Sequence, residues 1–157
     1  MNGIALLDVN VLVALFFTGH SHHEVAHDWF DEQRAHGWAT SPTTENGVVR
    51  ILSNRTYILD AWRPAEVVEK LRAFRRSGQH HFWAESVTLT DERVFNTSLI
   101  GGHRQVTDIY LLGVATAAGG ALATFDRGIS IGAVKGATKA NLQVISAVPA
   151  ESRSEDR

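Results

Sequence analysis

Four apolar residues stopped by an acid, "IALLD" (Ile4 to Asp8), constrain this chain more than any other stretch. A short unbroken apolar run suits a strand buried on both faces of a parallel sheet, where neither face meets water. "NVLVALF" after it either continues the strand or opens a helix. Two later runs have the same form: "ALATFD", closed by Asp126, and "LQVIS". Between these runs the pattern turns helical. From Ser21 to His36, Val25, Ala26, Trp29 and Phe30 recur at helical spacing, with Asp28, Asp31, Glu32 and Arg34 mostly opposite, which predicts an amphipathic helix. "GWATSP" offers a short strand stopped by Pro42, and Thr43 or Thr44 is placed to cap a helix whose Val48, Val49, Ile51 and Leu52 point inward. Pro64 suits the first turn of a helix running to about Arg76 and closed by Gly78. "HFWAESVTL" reads as a strand or an extended connection. "VTDIYLLGVATAAGG" reads as a helix capped by Thr107 or Asp108 and ended by Gly119 and Gly120. Strands alternating with helices predict an α/β layer architecture with a mainly parallel sheet.

A chain of 157 residues fits one domain, expected over residues 1–148, with a frayed polar tail at 149–157. Cysteine is absent, which excludes disulfides, thiolate-bound zinc and a thiol nucleophile, and accords with a reducing, cytoplasmic setting. The N-terminal apolar run has no Lys or Arg ahead of it and is interrupted by Asp8 and Asn10, so neither a leader nor a membrane span is expected. A net charge of −2 gives no global pull toward nucleic acid, leaving only local patches to provide one. One such patch is "KLRAFRR", Lys70 to Arg76. Its Arg72, Arg75 and Arg76 read as a solvated face of a helix whose Val67, Val68, Leu71 and Phe74 form the core stripe. Trp38, Trp62 and Trp83 read as core residues rather than base-stacking platforms.

"HHEVAH" holds His23, Glu24 and His27 in the order H-E-x-x-H, the spacing of a zinc protease helix. Such a site needs a third protein ligand. The metzincin continuation would put Gly and His where Phe30 and Gln33 stand, so that version fails. On a helical wheel both histidines lie away from the centre of the apolar stripe, so they are expected to face water or a rim, with at most an incidental metal.

The acids at strand ends are a different matter. In an open α/β sheet, ligands sit outside the carboxyl ends of the strands. Asp8 and Asp126 close two apolar runs, while Glu45 and Asp108 lie in the first turns of the two helices expected near that edge. Asp108 as a cap, Glu45 against a helix dipole and Asp126 in a turn each have a bland explanation. Asp8 does not: it follows four apolar residues with no Lys or Arg nearby, and a desolvated carboxylate needs a partner or a cation. If the segments are neighbours, four carboxylates crowd together and each raises the next one's pKa. A divalent ion resolves the conflict, and oxygen ligands without Cys or clustered His select Mg²⁺ or Mn²⁺. Such a site suits hydrolysis of a nucleic-acid backbone.

In order and spacing, "LLDVNVLVAL", "HHEVAHDWF", "TSPTTENGVVRIL", "QVTDIYLLGVA" and "LATFDRGI" resemble the PIN-domain family, and closely the VapC-type ribonuclease toxins of bacterial toxin–antitoxin pairs. The resemblance runs from Ile4 to about Val148. It implies a three-layer α/β/α sandwich and assigns Asp8, Glu45, Asp108 and Asp126 to an acidic quartet. In that quartet Asp8, Asp108 and Asp126 are metal ligands, and Glu45 is a ligand or orients the attacking water. It also matches Asn10 and Thr107 to polar positions that flank and support the quartet. It further implies one or two Mg²⁺ or Mn²⁺ ions, an RNA substrate, a homodimer and a cognate antitoxin. Two other functions share the predicted fold: a non-catalytic RNA-binding or regulatory module, against which all four acids argue, and a phosphoacceptor receiver-like domain. The receiver expects a lysine after a late strand, where this chain has Asp126 and Arg127.

Overall fold

The apolar runs become the centre of one sheet. A computed structural model describes residues 1–147; the expected tail at 149–157 lies outside the described residues. Strands β1 (Ala5–Leu7), β2 (Trp38–Thr40), β3 (His80–Phe82), β4 (Ala121–Thr124) and β5 (Leu142–Val144) lie in the order β3-β2-β1-β4-β5, and every pairing is parallel. "NVLVALF" resolves as helix, not strand: α1 spans Val9–Phe16, with Asp8 at its N-cap accepting from Val11 N–H at 2.9 Å. The remaining helices are α2 (His23–His36), α3 (Pro42–Leu52), α4 (Pro64–Phe74) and α5 (Val106–Ala117).

Side chains along each strand alternate between two cores. Ala5, Leu7, Trp38 and Ala123 pack under α1 to α4, while Leu6, Ala39 and Leu122 pack under α5. The result is the three-layer α/β/α sandwich. Helix α5 is buried at Ile109, Leu111, Leu112, Gly113, Val114 and Ala115, so it reads apolar nearly all round. Trp38 is fully buried, as expected; Trp83 packs against the α5 core, and Trp62 lies under the Lys70 ammonium, 4.7 Å from its ring centroid.

Several helix boundaries differ from expectation. Pro42 does not end a strand but opens α3, because Ser41 caps it and exchanges hydrogen bonds with Thr44 in a capping box. Helix α5 begins at Val106 after Gln105, so Asp108 and Thr107 lie inside the first turn and neither is its cap. Helix α2 starts at His23, and α4 stops at Phe74. Of the residues expected inward on α3, Val48 and Leu52 are buried, while Val49 and Ile51 are only half-buried against the same core. Gly78 has a φ of 61°, and a Cβ there would sit 2.5 Å from the Arg34 carbonyl, which accepts the Gln79 N–H at 2.9 Å. That turn starts β3, and "HFWAESVTL" is strand only over His80–Phe82.

The two histidines of "HHEVAH" are half-buried, each set against a backbone carbonyl. His23 Nδ1 lies 2.7 Å from Ala14 O and His27 Nε2 2.9 Å from Leu15 O, with the rings edge to face at 4.5 Å. The last carbonyls of a helix have no partner within it. A pair of histidines one turn apart on α2 caps two adjacent carbonyls at the end of α1, and the H-E-x-x-H spacing is a packing device. No helix among the described residues is long and apolar enough to cross a membrane.

Candidate active site

The strand order reverses direction around β1: the chain steps outward to β2 and β3 on one side, then returns to β4 and β5 on the other. The crevice at such a switch point opens outside the carboxyl ends of the strands. Asp8 directly follows β1, and Asp126 follows β4 after one residue. Helices α3 and α5 bring Glu45 and Asp108 to the same edge from opposite faces of the sheet. Close approach of α3 to α1 depends on Gly47, where a Cβ would meet Val9 Cγ2 at 2.5 Å.

Asp8 is 4% exposed, yet no Lys or Arg forms an ion pair with it among the described residues. Burial pushes its pKa from 3.8 up to about 6; hydrogen bonds from the Thr124 hydroxyl and Val11 N–H pull down, and Asp108 pushes up again. Asp108, half-buried, is raised by burial and then by the charge of Asp126. The three aspartates therefore feel one another in a chain, Asp8 to Asp108 to Asp126. Thr124 links the outer two: its hydroxyl reaches Asp8 and accepts the Asp126 N–H at 3.1 Å. Asp126 Oδ1 accepts the Gly128 N–H at 2.7 Å, which fixes its turn. Among the described residues, no three His, Cys, Asp or Glu side chains are gathered tightly enough to make a ready metal-binding group. The aspartates form an open array and not a closed cage.

Glu45 is held differently. Its Oε2 accepts the Thr40 hydroxyl at 2.6 Å and lies 3.4 Å from Arg75 Nη1. Thr40 Oγ1 is also 2.8 Å from His80 Nε2, and burial, then Arg75, then His81 push the His80 pKa from 6.5 down to about 4. His80 is thus neutral near pH 7 and gives its Nε2–H to Thr40, whose own proton goes to Glu45. Asn10 and Thr107, both exposed, make no side-chain hydrogen bond among the described residues.

Sequence reasoning missed Arg75, Thr40, His80 and a fifth acid, Glu85. Glu85 accepts from Thr43 N–H and Thr43 hydroxyl at 2.8 Å each, and from the Tyr110 hydroxyl at 2.8 Å. Burial raises its pKa, but the bonds from Thr43, Tyr110 and Ser41 outweigh that and leave it below the ordinary value. It ties the first turn of α3 to Tyr110 on α5, joining the two helices that carry Glu45 and Asp108. The available signal was an acid shortly past "HHF", separated from that strand by Trp83 and Ala84 where Asp8 follows its strand directly.

An open parallel sheet with carboxylates along its switch point is an α/β frame of the kind that takes its ligand at the carboxyl edge of the strands. Comparison with known proteins narrows it. Residues 5–134 match the PIN domain family. Ribonuclease VapC39 of Mycobacterium tuberculosis is 41% identical over 132 residues, covering 84% of this chain and 95% of the relative. Ribonuclease VapC44 of the same organism is 40% identical over 141 residues, covering 90% and 99%, and Ribonuclease VapC38 is 44% identical over 126 residues, covering 80% and 87%. The chain belongs to the PIN-domain family, in its VapC ribonuclease branch.

Proposed function

We propose that this protein is a Mg²⁺- or Mn²⁺-dependent endoribonuclease and the toxin of a toxin–antitoxin pair, hydrolysing RNA phosphodiesters with water. The observation that carries the reading is Asp8: a carboxylate buried at the switch point, raised in pKa by burial and by Asp108, and paired with no cation among the described residues. The side chains that act on it are the Asp108 carboxylate and the Thr124 hydroxyl, oxygen donors that fit a hard divalent ion. Asp8, Asp108 and Asp126 would hold the ion. When bound, it supplies positive charge beside the phosphodiester and acidifies a water.

The chain's own residues do the rest. Val11 N–H and the Thr124 hydroxyl fix the Asp8 carboxylate, and the turn at Gly128 fixes Asp126. Both partners of Glu45 take Oε2, so Oε1 is left to accept the proton of the attacking water as its oxygen bonds to phosphorus and the bond to the leaving ribose oxygen breaks. The family further supports a homodimer, a cognate antitoxin and a cytoplasmic setting for this chain. The test is cleavage of a labelled RNA by purified protein with Mg²⁺, with EDTA, and by the Asp8→Asn form. Cleavage only in the first case supports the reading; cleavage undiminished in EDTA overturns it.

A further inference from the structure

Phe82 closes β3, the edge strand of the sheet, and is 47% exposed. It packs into neither hydrophobic core. Its register partner is Thr40, so the two backbones are one strand spacing apart, about 4.8 Å, and the Thr40 hydroxyl is the one that holds Glu45. His80 and Phe82 share a face of β3, the face on which Thr40 meets His80. The Arg75 guanidinium lies over the Phe82 ring, 5.2 Å from its centroid, and the same group reaches Glu45 at 3.4 Å. An exposed ring and a cation are thus placed side by side at the outer edge of the acidic crevice.

We propose that Phe82 and Arg75 form a base-stacking subsite for the nucleotide adjacent to the scissile phosphodiester, an inference that rests on the ribonuclease reading. An unstacked base needs an aromatic face beside a positive charge for its phosphate, and every base has a face to offer. Arg75 has donors beyond the one that meets Glu45, because a guanidinium carries five N–H groups. Neighbouring charge supports the same occupant: Arg76, next to Arg75 in the chain, is exposed as well. Arg72 is turned away into an ion pair with Glu69 on its own helix. The basic run from Lys70 to Arg76 therefore divides, with Arg75 serving the site and Arg72 serving the helix surface. Continuity from Asp8 through Glu45 and Arg75 to Phe82 gives a single-stranded chain a path across the β2 and β3 side of the crevice.

The test is fluorescence anisotropy of a labelled single-stranded oligoribonucleotide on the full chain in EDTA, with an abasic site walked through the oligonucleotide. For the unsubstituted protein, affinity should fall at one position beside the cleavage site. Phe82→Ala and Phe82→Leu should weaken binding roughly tenfold or more and lose that position's sensitivity, while Phe82→Trp keeps both. Melting temperatures check that the variants fold, which the exposure of Phe82 favours. Equal affinity and equal abasic sensitivity in Phe82→Ala overturn the subsite, as does a loss of self-association with RNA affinity intact. Unsubstituted protein that cleaves with Mg²⁺ but shows no base-dependent affinity also overturns it, and leaves the ribonuclease reading standing. Protein that neither binds nor cleaves RNA removes both.

Discussion

The two sides of the crevice hold negative charge in opposite ways. On the β1 and β4 side, Asp8, Asp108 and Asp126 have no ion-paired cation among the described residues, and burial, with a smaller push from Asp108, drives Asp8 to a pKa of about 6. On the β2 side, Glu45 is buffered: its side chain is 18% exposed, and Thr40 and Arg75 share its Oε2. In the proposed function, the carboxylates that lack a cation are those that receive the metal ion. A carboxylate already holding a cation and a hydroxyl on one oxygen is built to present the other in a fixed direction. Under the proposed reading, the difference separates ion binding from water positioning among the four acids.

Removing a charge from the unneutralised side has the largest effect. Asp8→Asn keeps the shape and an N-cap oxygen but removes the charge, and should lower RNA cleavage by about a thousandfold or more, measured as initial rate on a labelled substrate. Glu45→Gln should cost less, about a hundredfold, because the ion site survives and only the proton acceptor is lost. Arg75→Ala, which leaves Glu45 in place but unclamped, should cost less again, about tenfold, and its cleavage should respond less strongly to salt than that of Arg75→Lys, which keeps the charge. If Glu45→Gln abolishes divalent-ion uptake as Asp8→Asn does, the separation of roles fails.

Stability sharpens the same contrast, with opposite signs on the two sides. A carboxyl whose folded pKa is raised binds more protons folded than unfolded, so its contribution is full below pH 3.8 and is lost as pH rises through about 6. Asp8→Asn should therefore stabilise the metal-free protein above pH 7, by up to about 3 kcal/mol, and leave it unchanged near pH 3.5. His80 runs the other way. Its folded pKa of about 4 lies below 6.5, so its contribution is full above 6.5 and is lost as pH falls through 4. His80→Gln should flatten the acid side of the stability profile by a smaller amount, since that side chain is half-exposed and screened. Away from the site, His27→Ala should cost about 1 kcal/mol by leaving the Leu15 carbonyl uncapped, with cleavage rate per folded molecule unchanged. Urea unfolding at several pH values reads all three.

The β1 and β4 side was legible in sequence because its signal is local. An apolar run stopped by Asp8, and another stopped by Asp126, place an acid at a strand end without knowledge of any distant residue. The β2 and β3 side was not, because its contacts join residues far apart in the chain: Glu45 with Arg75, Thr40 with His80, Thr43 with Glu85. No period or spacing reports such pairs, and Arg75 on a helical wheel looks like any solvated arginine. Pro42 misled for a related reason. A proline ends a strand and opens a helix equally well, and the Ser41 to Thr44 capping box decided between them. The histidines of "HHEVAH" were placed by wheel geometry against the core stripe alone, which overlooked the free carbonyls at the end of α1.

Isothermal titration of Mn²⁺ into the metal-free protein tests the account most directly. The unsubstituted chain should bind one or two ions, Asp8→Asn should bind none or far more weakly, and Arg75→Ala should bind as the unsubstituted chain does. Absence of uptake by the unsubstituted chain, or uptake unchanged by Asp8→Asn, would contradict it.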